Sequence, residues 1–152
     1  MHASTEVEAL LAQTAAFARD VVAPQAIVWE RERRIGRDAF AQAARIGLTR
    51  LEVPRALGGL GMPFSVKAKV AELLGAADFA FTMSLINTHN VAAKLVRDAP
   101  PAVAARYVDD LMAGRRVGCT ALTEPGAGSD FAAIDTRATR TPQGWRIDGV
   151  KA

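Results

Sequence analysis

The chain has 152 residues, of which 50% are hydrophobic and 23% are charged, and this is the composition of an ordinary globular protein. That balance argues against intrinsic disorder, collagen-like repeats and fibres. A single cysteine, Cys119, excludes an internal disulfide and any CxxC zinc or iron–sulfur site built within the chain.

The net charge is mildly basic at +3, from 19 Lys and Arg residues against 16 Asp and Glu residues. The tightest basic groups are Arg31, Arg33, Arg34 and Arg37, with acidic residues among them, and the pair Arg115–Arg116. A mixture of both signs is typical of a solvated helix face rather than of a phosphate-binding patch. No nucleic-acid partner is therefore expected.

The N-terminal residues do not have the pattern of a targeting segment, because Glu6 and Glu8 interrupt any basic-then-apolar run. The most apolar stretch, residues 79–96, contains His89 and Lys94 and is too polar for a membrane span. It predicts a buried helix instead. These features predict a soluble, cytoplasmic protein without a membrane span.

Abundant alanine and apolar residues at helical spacing predict that the first 116 residues are helical. A capping box at Thr5–Glu8 is expected to open the first helix, and Pro24 to interrupt or restart it. Further helices are predicted at about 37–46, 64–76, 79–97 and 102–112. Gly47 and Gly114 are expected to follow helix ends, and the glycine-rich segment 58–61 is expected to form a loop.

The pattern then changes to one typical of strands. The apolar run 117–122 predicts a first strand, and the segments 133–141 and 145–148 predict two more around a turn at 142–144. A lone hairpin is marginally stable in water, and no further element closes this sheet before the last residue. The β part is therefore expected to be incomplete.

The most informative segment is 122–130, which reads Leu-Thr-Glu-Pro-Gly-Ala-Gly-Ser-Asp. Pro125 and Gly126 suit the central positions of a type II turn. The residues after them can turn several N–H groups towards an anion or a carbonyl, and the Thr123 hydroxyl can donate or accept. Such an edge could bind the polar rim of a planar ring, while the alternative is a surface turn joining two strands. The third glycine of a dinucleotide-binding fingerprint is lacking, and no P-loop lysine follows.

Segment 122–130 resembles the signature of the acyl-CoA dehydrogenase family at nine consecutive residues. Further similarities, in the family's order and spacing, are Gly47-Leu48, Val53-Pro54, Gly58 to Gly61, Leu111 with Gly114, and Gly144 to Lys151. The resemblance covers nearly the whole chain. It implies a mainly α fold, with an N-terminal helical domain at residues 1–116 followed by the first strands of a truncated β-barrel domain at residues 117–152.

By this resemblance, the signature segment binds the flavin of FAD. Thr123 falls where the family threonine hydrogen-bonds the pyrimidine side of the isoalloxazine ring, and Leu122 falls where the chain packs beside that ring. Gly128 falls where a backbone N–H approaches a ring carbonyl. Ser129 matches the position that contacts both FAD and the acyl-CoA substrate. Thr120 occupies a position near the flavin that is often aromatic in the family.

The resemblance implies FAD-dependent α,β-dehydrogenation of an acyl-CoA thioester to a trans-2-enoyl-CoA. In the family a carboxylate base removes the α-proton while a hydride leaves the β-carbon for the flavin. That base is a glutamate of a C-terminal helical domain, so no catalytic residue is assigned in this chain. An electron-transfer partner protein and a homotetramer are also implied. Two alternatives stay open: a flavin monooxygenase or acyl-CoA oxidase of the same fold, and a non-catalytic or split-enzyme subunit.

The remaining polar and aromatic residues have simpler structural interpretations. Glu124 is expected to be structural rather than a base, and Asp130 to be a turn cap. His89 is interpreted as a satisfied core histidine, with a place in the wall of the acyl pocket as the alternative. Cys119 is expected to be a small buried hydrophobe, and both tryptophans are expected to be packing residues. No metal site is predicted.

Overall fold

The computed structural model describes residues 2–152, with side chains described from Thr5 onward. The described residues form the helices α1 (His2–Phe17), α2 (Ala23–Glu32), α3 (Arg37–Arg45), α4 (Phe64–Gly75), α5 (Phe79–Asp98) and α6 (Pro101–Met112), and the strands β1 (Arg137–Thr141) and β2 (Gly144–Asp148). The chain divides into two compact units, the helical unit (Met1–Cys119) and the β unit (Thr120–Ala152). The mainly α fold with a short β region after it is confirmed.

The first two helices are continuous through one π-helical turn, Ala18–Val22. Pro24 lies in the first turn of α2, where a missing backbone N–H costs little, so that it continues the helical segment rather than breaking it. The N-cap predicted at Thr5 is wrong, because α1 already begins at His2. An N-cap residue has a non-helical backbone, and Thr5 lies inside the helix.

The core of the helical unit is built around Phe81 of α5. The centroid of its ring lies 5.9 Å from that of Phe17 in α1, 5.5 Å from that of Trp29 in α2 and 5.3 Å from that of Phe40 in α3. Rings at these separations contribute beyond their buried area. The predicted packing role of Trp29 and the central position of α5 are confirmed. Buried aliphatic residues that complete this core include Leu48, Leu51, Val66, Val70, Leu74 and Leu85.

Glycines shape the segment that connects α3 to α4. Gly58 has a φ of 81°, a left-handed conformation that side chains disfavour. Gly59 is needed for a different reason, because a Cβ there would lie 1.8 Å from the Val53 carbonyl oxygen. The same oxygen accepts a hydrogen bond from the Gly61 N–H at 2.9 Å. The predicted glycine loop is confirmed, and within it the backbone of Gly59 and Gly61 packs directly against the backbone of Val53.

In the β unit, β1 and β2 pair as an antiparallel hairpin, in register from Arg137 opposite Asp148 to Thr141 opposite Gly144. The predicted turn at 142–144 is confirmed. The strand predicted at 117–122 is wrong, since the described residues pair only β1 with β2. The strand predicted from residue 133 begins only at Arg137. An apolar run extends as a strand only where a partner strand bonds to it.

Trp145 and Cys119 were predicted to be packed or buried, and both are exposed. The Trp145 residue is 67% exposed, and Ile147, its neighbour on the same face of β2, is 72% exposed. The Cys119 thiol is exposed as well. The packing role predicted for Trp145 and the burial predicted for Cys119 are therefore wrong. A strand residue is buried only by a second layer, and the sequence pattern of a strand does not show whether one is present.

Candidate functional site

The signature segment 122–130 lies in the β unit as a closed turn. The N–H of Glu124 donates to the carbonyl oxygen of Ala127 at 2.9 Å, and the N–H of Ala127 donates to that of Glu124 at 3.1 Å. Pro125 and Gly126 occupy the central positions. The predicted type II turn is wrong, because Gly126 is not among the described glycines with positive φ. This pair of hydrogen bonds closes the turn without a left-handed residue.

The Glu124 carboxylate ties this turn to the chain that follows it. Its Oε2 accepts from the Asp135 N–H at 2.7 Å, and its Oε1 accepts from the Thr136 N–H at 3.0 Å, from the Thr136 hydroxyl and from Lys151 Nζ at 2.9 Å. The bonds from the Thr136 hydroxyl, Lys151 and the Asp135 backbone lower the pKa of Glu124 to about 2. Glu124 therefore has the structural role that was expected.

Hydrogen-bond donors on the rim of the turn are free to meet a ligand. Among the described residues, no acceptor is bonded to the N–H of Gly128, the N–H of Ser129 or the Thr123 hydroxyl. All three residues are exposed, and a Cβ at Gly128 would meet nothing within 4 Å. Neutral donors in open space suit ring carbonyls and ring nitrogens. This donor set fits the polar edge of a flavin.

The remaining predicted cofactor residues, Thr120 and Leu122, are also exposed and precede the closed turn. The Leu122 residue is 46% exposed, so that its apolar side chain is available for contact with a ring face. Asp130, at the other end of the segment, accepts from the Ala132 N–H at 3.1 Å and caps a short 3-10 turn, as predicted. The roles of these residues towards FAD stay predictions.

Sequence reasoning missed a buried polar cluster in the helical unit. Glu52 Oε2 accepts from Lys67 Nζ and lies 3.1 Å from His89 Nε2. Lys67 Nζ also donates to Asn90 Oδ1 at 3.1 Å. His89 is fully buried and Lys67 is 9% exposed. His89 is a core histidine, as interpreted, but it is satisfied only at Nε2, because its buried Nδ1 has no hydrogen-bond partner among the described residues. A lysine between the buried residues of α4 was the signal that could have indicated a partner for Glu52.

The pKa values in this cluster favour one charge state. Burial lowers the pKa of His89 most, and the positive charge of Lys67 lowers it further, against the effect of Glu52. Burial raises the pKa of Glu52, but the bonds from Lys67 and His89 outweigh it, so this pKa lies below its ordinary value. A carboxylate only accepts hydrogen bonds. His89 is therefore a neutral imidazole that donates from Nε2 near neutral pH.

Two kinds of site are lacking in the part of the chain that the structure describes. None of its helices is long and apolar enough to cross a membrane. Within residues 2–152, no three His, Cys, Asp or Glu side chains are grouped so that they could hold a metal ion.

Comparison with known proteins identifies the family. Residues 4–115 match the family described as acyl-CoA dehydrogenase, N-terminal domain. Over 137 residues the chain is 29% identical to the mitochondrial isobutyryl-CoA dehydrogenase of Dictyostelium discoideum, which covers 90% of this chain and 33% of that protein. Over 142 residues it is 31% identical to the benzylmalonyl-CoA dehydrogenase of Aromatoleum aromaticum, which covers 90% of this chain and 37% of that protein.

Solved structures agree with these similarities. A probable acyl-CoA dehydrogenase from Mycobacterium abscessus has a TM-score of 0.85 at 33% identity, covering 95% of this chain and 39% of that chain. The FAD complex of PigA shares the fold, with a TM-score of 0.85 at 24% identity over 95% of this chain and 39% of that one. The chain spans about a third of the length of the curated relatives it matches. Because the family match extends over most of the sequence, the chain belongs to the acyl-CoA dehydrogenase family.

Proposed function

We propose that this chain supplies the helical domain and the flavin-contacting turn of an FAD-dependent enzyme that dehydrogenates an acyl-CoA thioester to a trans-2-enoyl-CoA. The observation that carries the proposal is the rim of the 122–130 turn. Its three free donors belong to residues that match the family's flavin-binding positions. In this enzyme, residues 1–116 form the helical domain and residues 117–152 form the beginning of the β domain.

Each predicted residue has a defined part in this proposal. Thr123 and Gly128 donate hydrogen bonds to the polar edge of the isoalloxazine ring, and Ser129 contacts both FAD and the acyl-CoA. Leu122 and Thr120 lie beside the ring. FAD, when bound, accepts the hydride that leaves the β-carbon of the substrate. Donors that are already fixed before the reaction lower the barrier, because they need no reorganisation as charge develops.

The base for the α-proton is not assigned to this chain. Glu124 is the carboxylate nearest in sequence to the flavin turn, but four donors already bond to it. Its pKa of about 2 also makes it a weak proton acceptor at neutral pH. An electron-transfer partner protein, a homotetramer and a cytoplasmic location complete the proposal.

The first experiment is the visible spectrum of the purified chain, followed by titration with FAD. A visible flavin spectrum that saturates with FAD supports the flavin-contacting turn, and bleaching by an acyl-CoA is expected only when the polypeptide that supplies the base is also present. A folded chain that binds no flavin would instead support a non-catalytic module. The helical circular dichroism signal of the same sample distinguishes this result from simple unfolding.

The second experiment substitutes the threonine that is proposed to bond the ring. Thr123→Val removes one donor and keeps the shape, so the affinity for FAD should fall about tenfold or more. Thr123→Ser keeps the hydroxyl and is the matched control. An unchanged affinity for FAD in the valine variant would contradict the role given to Thr123.

A further inference from the structure

A cleft of about 440 Å³ opens in the helical unit between the end of α2, the start of α3 and the start of α5. Its lining includes two mostly buried aromatic residues, Trp29 and Phe40, which are called its floor below, and the arginines Arg33, Arg34 and Arg37. It is called the arginine cleft below. Its volume is within the range of clefts that hold small molecules. It lies wholly within the helical unit and shares no residue with the flavin turn.

The three arginines do not lie on one helix face, because they span the end of α2, the connection after it and the start of α3. Arg33 is the C-cap of α2, Arg34 lies in the connection that follows, and Arg37 is the first residue of α3. Arg31, the fourth arginine of this group, lies within α2 and does not line the cleft. All four arginines are exposed, so the predicted solvated character is confirmed, but they do not share one helix face, since Arg33 and Arg34 lie outside the helices.

The guanidinium groups of the arginine cleft are available to a ligand. Among the described residues, Arg33 and Arg37 form no ion pair, and Arg34 reaches only Glu32, at 3.5 Å and in an exposed position. The Asp78 carboxylate, which also lines the cleft, already caps α5 by accepting from the Phe81 N–H at 2.6 Å. The lining contains one further acidic residue, Glu30, so its formal charge is +1.

The other basic pair noted in the sequence, Arg115–Arg116, is neutralised by an acidic residue of the same unit. Arg115 and Arg116 both bond to Asp110, at 2.7 Å and 2.9 Å. That carboxylate has its pKa lowered by Arg116 and Arg115. The fold thus neutralises one group of arginines with an acid of its own, whereas around the arginine cleft only Arg34 has an acidic partner among the described residues, the exposed Glu32.

Arg33 is also held in a conformation that does not suit it. Its φ of 51° is the only positive value found at a non-glycine residue in the described chain. The α2 end is closed there by bonds from Arg33 N–H to the Glu30 carbonyl at 3.3 Å and from Arg34 N–H to the Trp29 carbonyl at 3.1 Å. Glycine is the usual residue at this position. A non-glycine residue with a strained backbone at the edge of a cleft suggests that its side chain has a function there.

We propose that the arginine cleft binds a small organic oxyanion, that is, a phosphate ester or a carboxylate attached to an apolar group. Arg33 and Arg37 would donate to the oxyanion, since a guanidinium presents paired N–H groups that match both phosphate and carboxylate. The Trp29 and Phe40 floor would contact the apolar group. The N-terminus of α5, a 20-residue helix at the cleft wall, adds a positive partial charge.

The test is a titration of the chain with phenyl phosphate, benzoate and inorganic phosphate at constant ionic strength, followed by NMR of the backbone amides and the arginine Nε–H groups. Saturable shifts at Arg33, Arg34 and Arg37 are expected. Phenyl phosphate or benzoate should bind about threefold or more tightly than inorganic phosphate, because only they reach the apolar floor. The stronger of these two identifies the oxyanion. Absence of saturable shifts with both would overturn the proposal.

Two variants distinguish binding in the arginine cleft from nonspecific electrostatic attraction of the anion to the protein surface. Arg33→Gly removes the guanidinium and relieves the backbone strain, so the unliganded protein should melt at the same or a higher temperature. Its affinity for the oxyanion should nevertheless fall about tenfold. Arg31→Ala removes the same charge two residues away and should leave the affinity within about twofold, as expected for a screened surface charge. Equal losses in both variants, or no loss in Arg33→Gly, would overturn the proposal.

Discussion

At the scale of single residues, Glu124 and Glu52 show two ways to hold a carboxylate. Glu124 bonds mainly to donors of the following chain and fixes the 122–130 turn to residues 135 and 136. Glu52 bonds to Lys67 and His89 and joins a loop to two helices. The first arrangement organises the rim of the site, and the second is a buried charge network whose energy depends on protonation.

Replacing Glu124 by Gln should loosen the turn. A glutamine amide can accept at only one atom and presents an N–H₂ group to donors that the carboxylate now satisfies. The amide protons of Asp135 and Thr136 should therefore exchange about tenfold faster, the equivalent of one lost hydrogen bond. Hydrogen exchange read by NMR measures this change.

Glu72→Gln is the control for that substitution, because Glu72 pairs on the surface with Lys69 alone. It should leave exchange at residues 135 and 136 unchanged. If Glu124→Gln also leaves them unchanged, the carboxylate does not fix the turn. In the unsubstituted chain, the contribution of Glu124 should be present above about pH 4.5 and disappear as the pH approaches 2, because its pKa is about 2 in the folded chain.

His89 should make stability depend on pH in a range where carboxylates do not titrate. Its pKa is lowered in the folded chain, so the unfolded chain binds more protons as the pH falls below about 6.5. Stability should be complete above that pH. Below it, the free energy of unfolding should fall by at most about 1.4 kcal/mol per pH unit until the folded pKa is reached.

Urea unfolding at intervals between about pH 7.5 and pH 5.5, one unit on either side of the ordinary histidine pKa, measures this dependence. His89→Gln keeps an N–H group for Glu52 and removes the titration. The slope should be smaller in that variant. An identical slope in both proteins would show that His89 is not the group responsible.

At the scale of elements, the helices could be predicted because their signals are local. The structure gives α3 as Arg37–Arg45, α4 as Phe64–Gly75 and α5 as Phe79–Asp98, each within two residues of the predicted bounds. Gly47 and Gly114 follow helix ends as predicted. Helical spacing and terminal glycines act within a few residues of each other.

Features that depend on distant residues could not be predicted in this way. The Glu52, Lys67 and His89 cluster joins three separate segments, and the arginine cleft forms only where α2 and α3 approach α5. In the candidate site, the family motif and the cap formed by Asp130 are local and were predicted, whereas the structural role of Glu124 was predicted without its partners, which lie 11 to 27 residues further along the chain. The type II turn was not correct, since the same Pro-Gly pair also fits a turn in which Gly126 has negative φ.

The loop between α3 and α4 should be more sensitive to one methyl group than the helices are. Gly59→Ala places a Cβ 1.8 Å from the Val53 carbonyl oxygen, so the backbone must move. We expect a loss of about 2–4 kcal/mol in the free energy of unfolding, the range typical of a severe steric substitution. Chemical denaturation measures it.

The matched control is Gly75→Ala at the end of α4, where a Cβ would meet nothing within 4 Å. Alanine has the higher helix propensity, so this variant should gain about 0.5–1 kcal/mol. If the two substitutions change stability by similar amounts, the close approach of Gly59 to Val53 is not what constrains this loop.

At the scale of the whole molecule, the two units differ in what stabilises them. Of the buried hydrophobic residues in the described chain, all except Ala127 belong to the helical unit. The β unit instead has hydrogen bonds centred on Glu124 and a hairpin whose large side chains are exposed. Buried apolar area is the dominant favourable term in folding. The cooperative stability of the chain should therefore come from the helical unit.

A chain that ends at Cys119 should retain that stability. Its melting temperature, followed by the helical circular dichroism signal, should lie within about 5 °C of the value for residues 1–152, since few buried apolar contacts are lost. Residues 120–152 alone should show no cooperative transition, because an isolated hairpin is marginal in water. In the whole chain, tryptophan fluorescence, which reports Trp29 and Trp145 together, should show no cooperative step separate from that of the helices. A loss of helical structure in the 1–119 chain would show instead that the β unit completes the helical core.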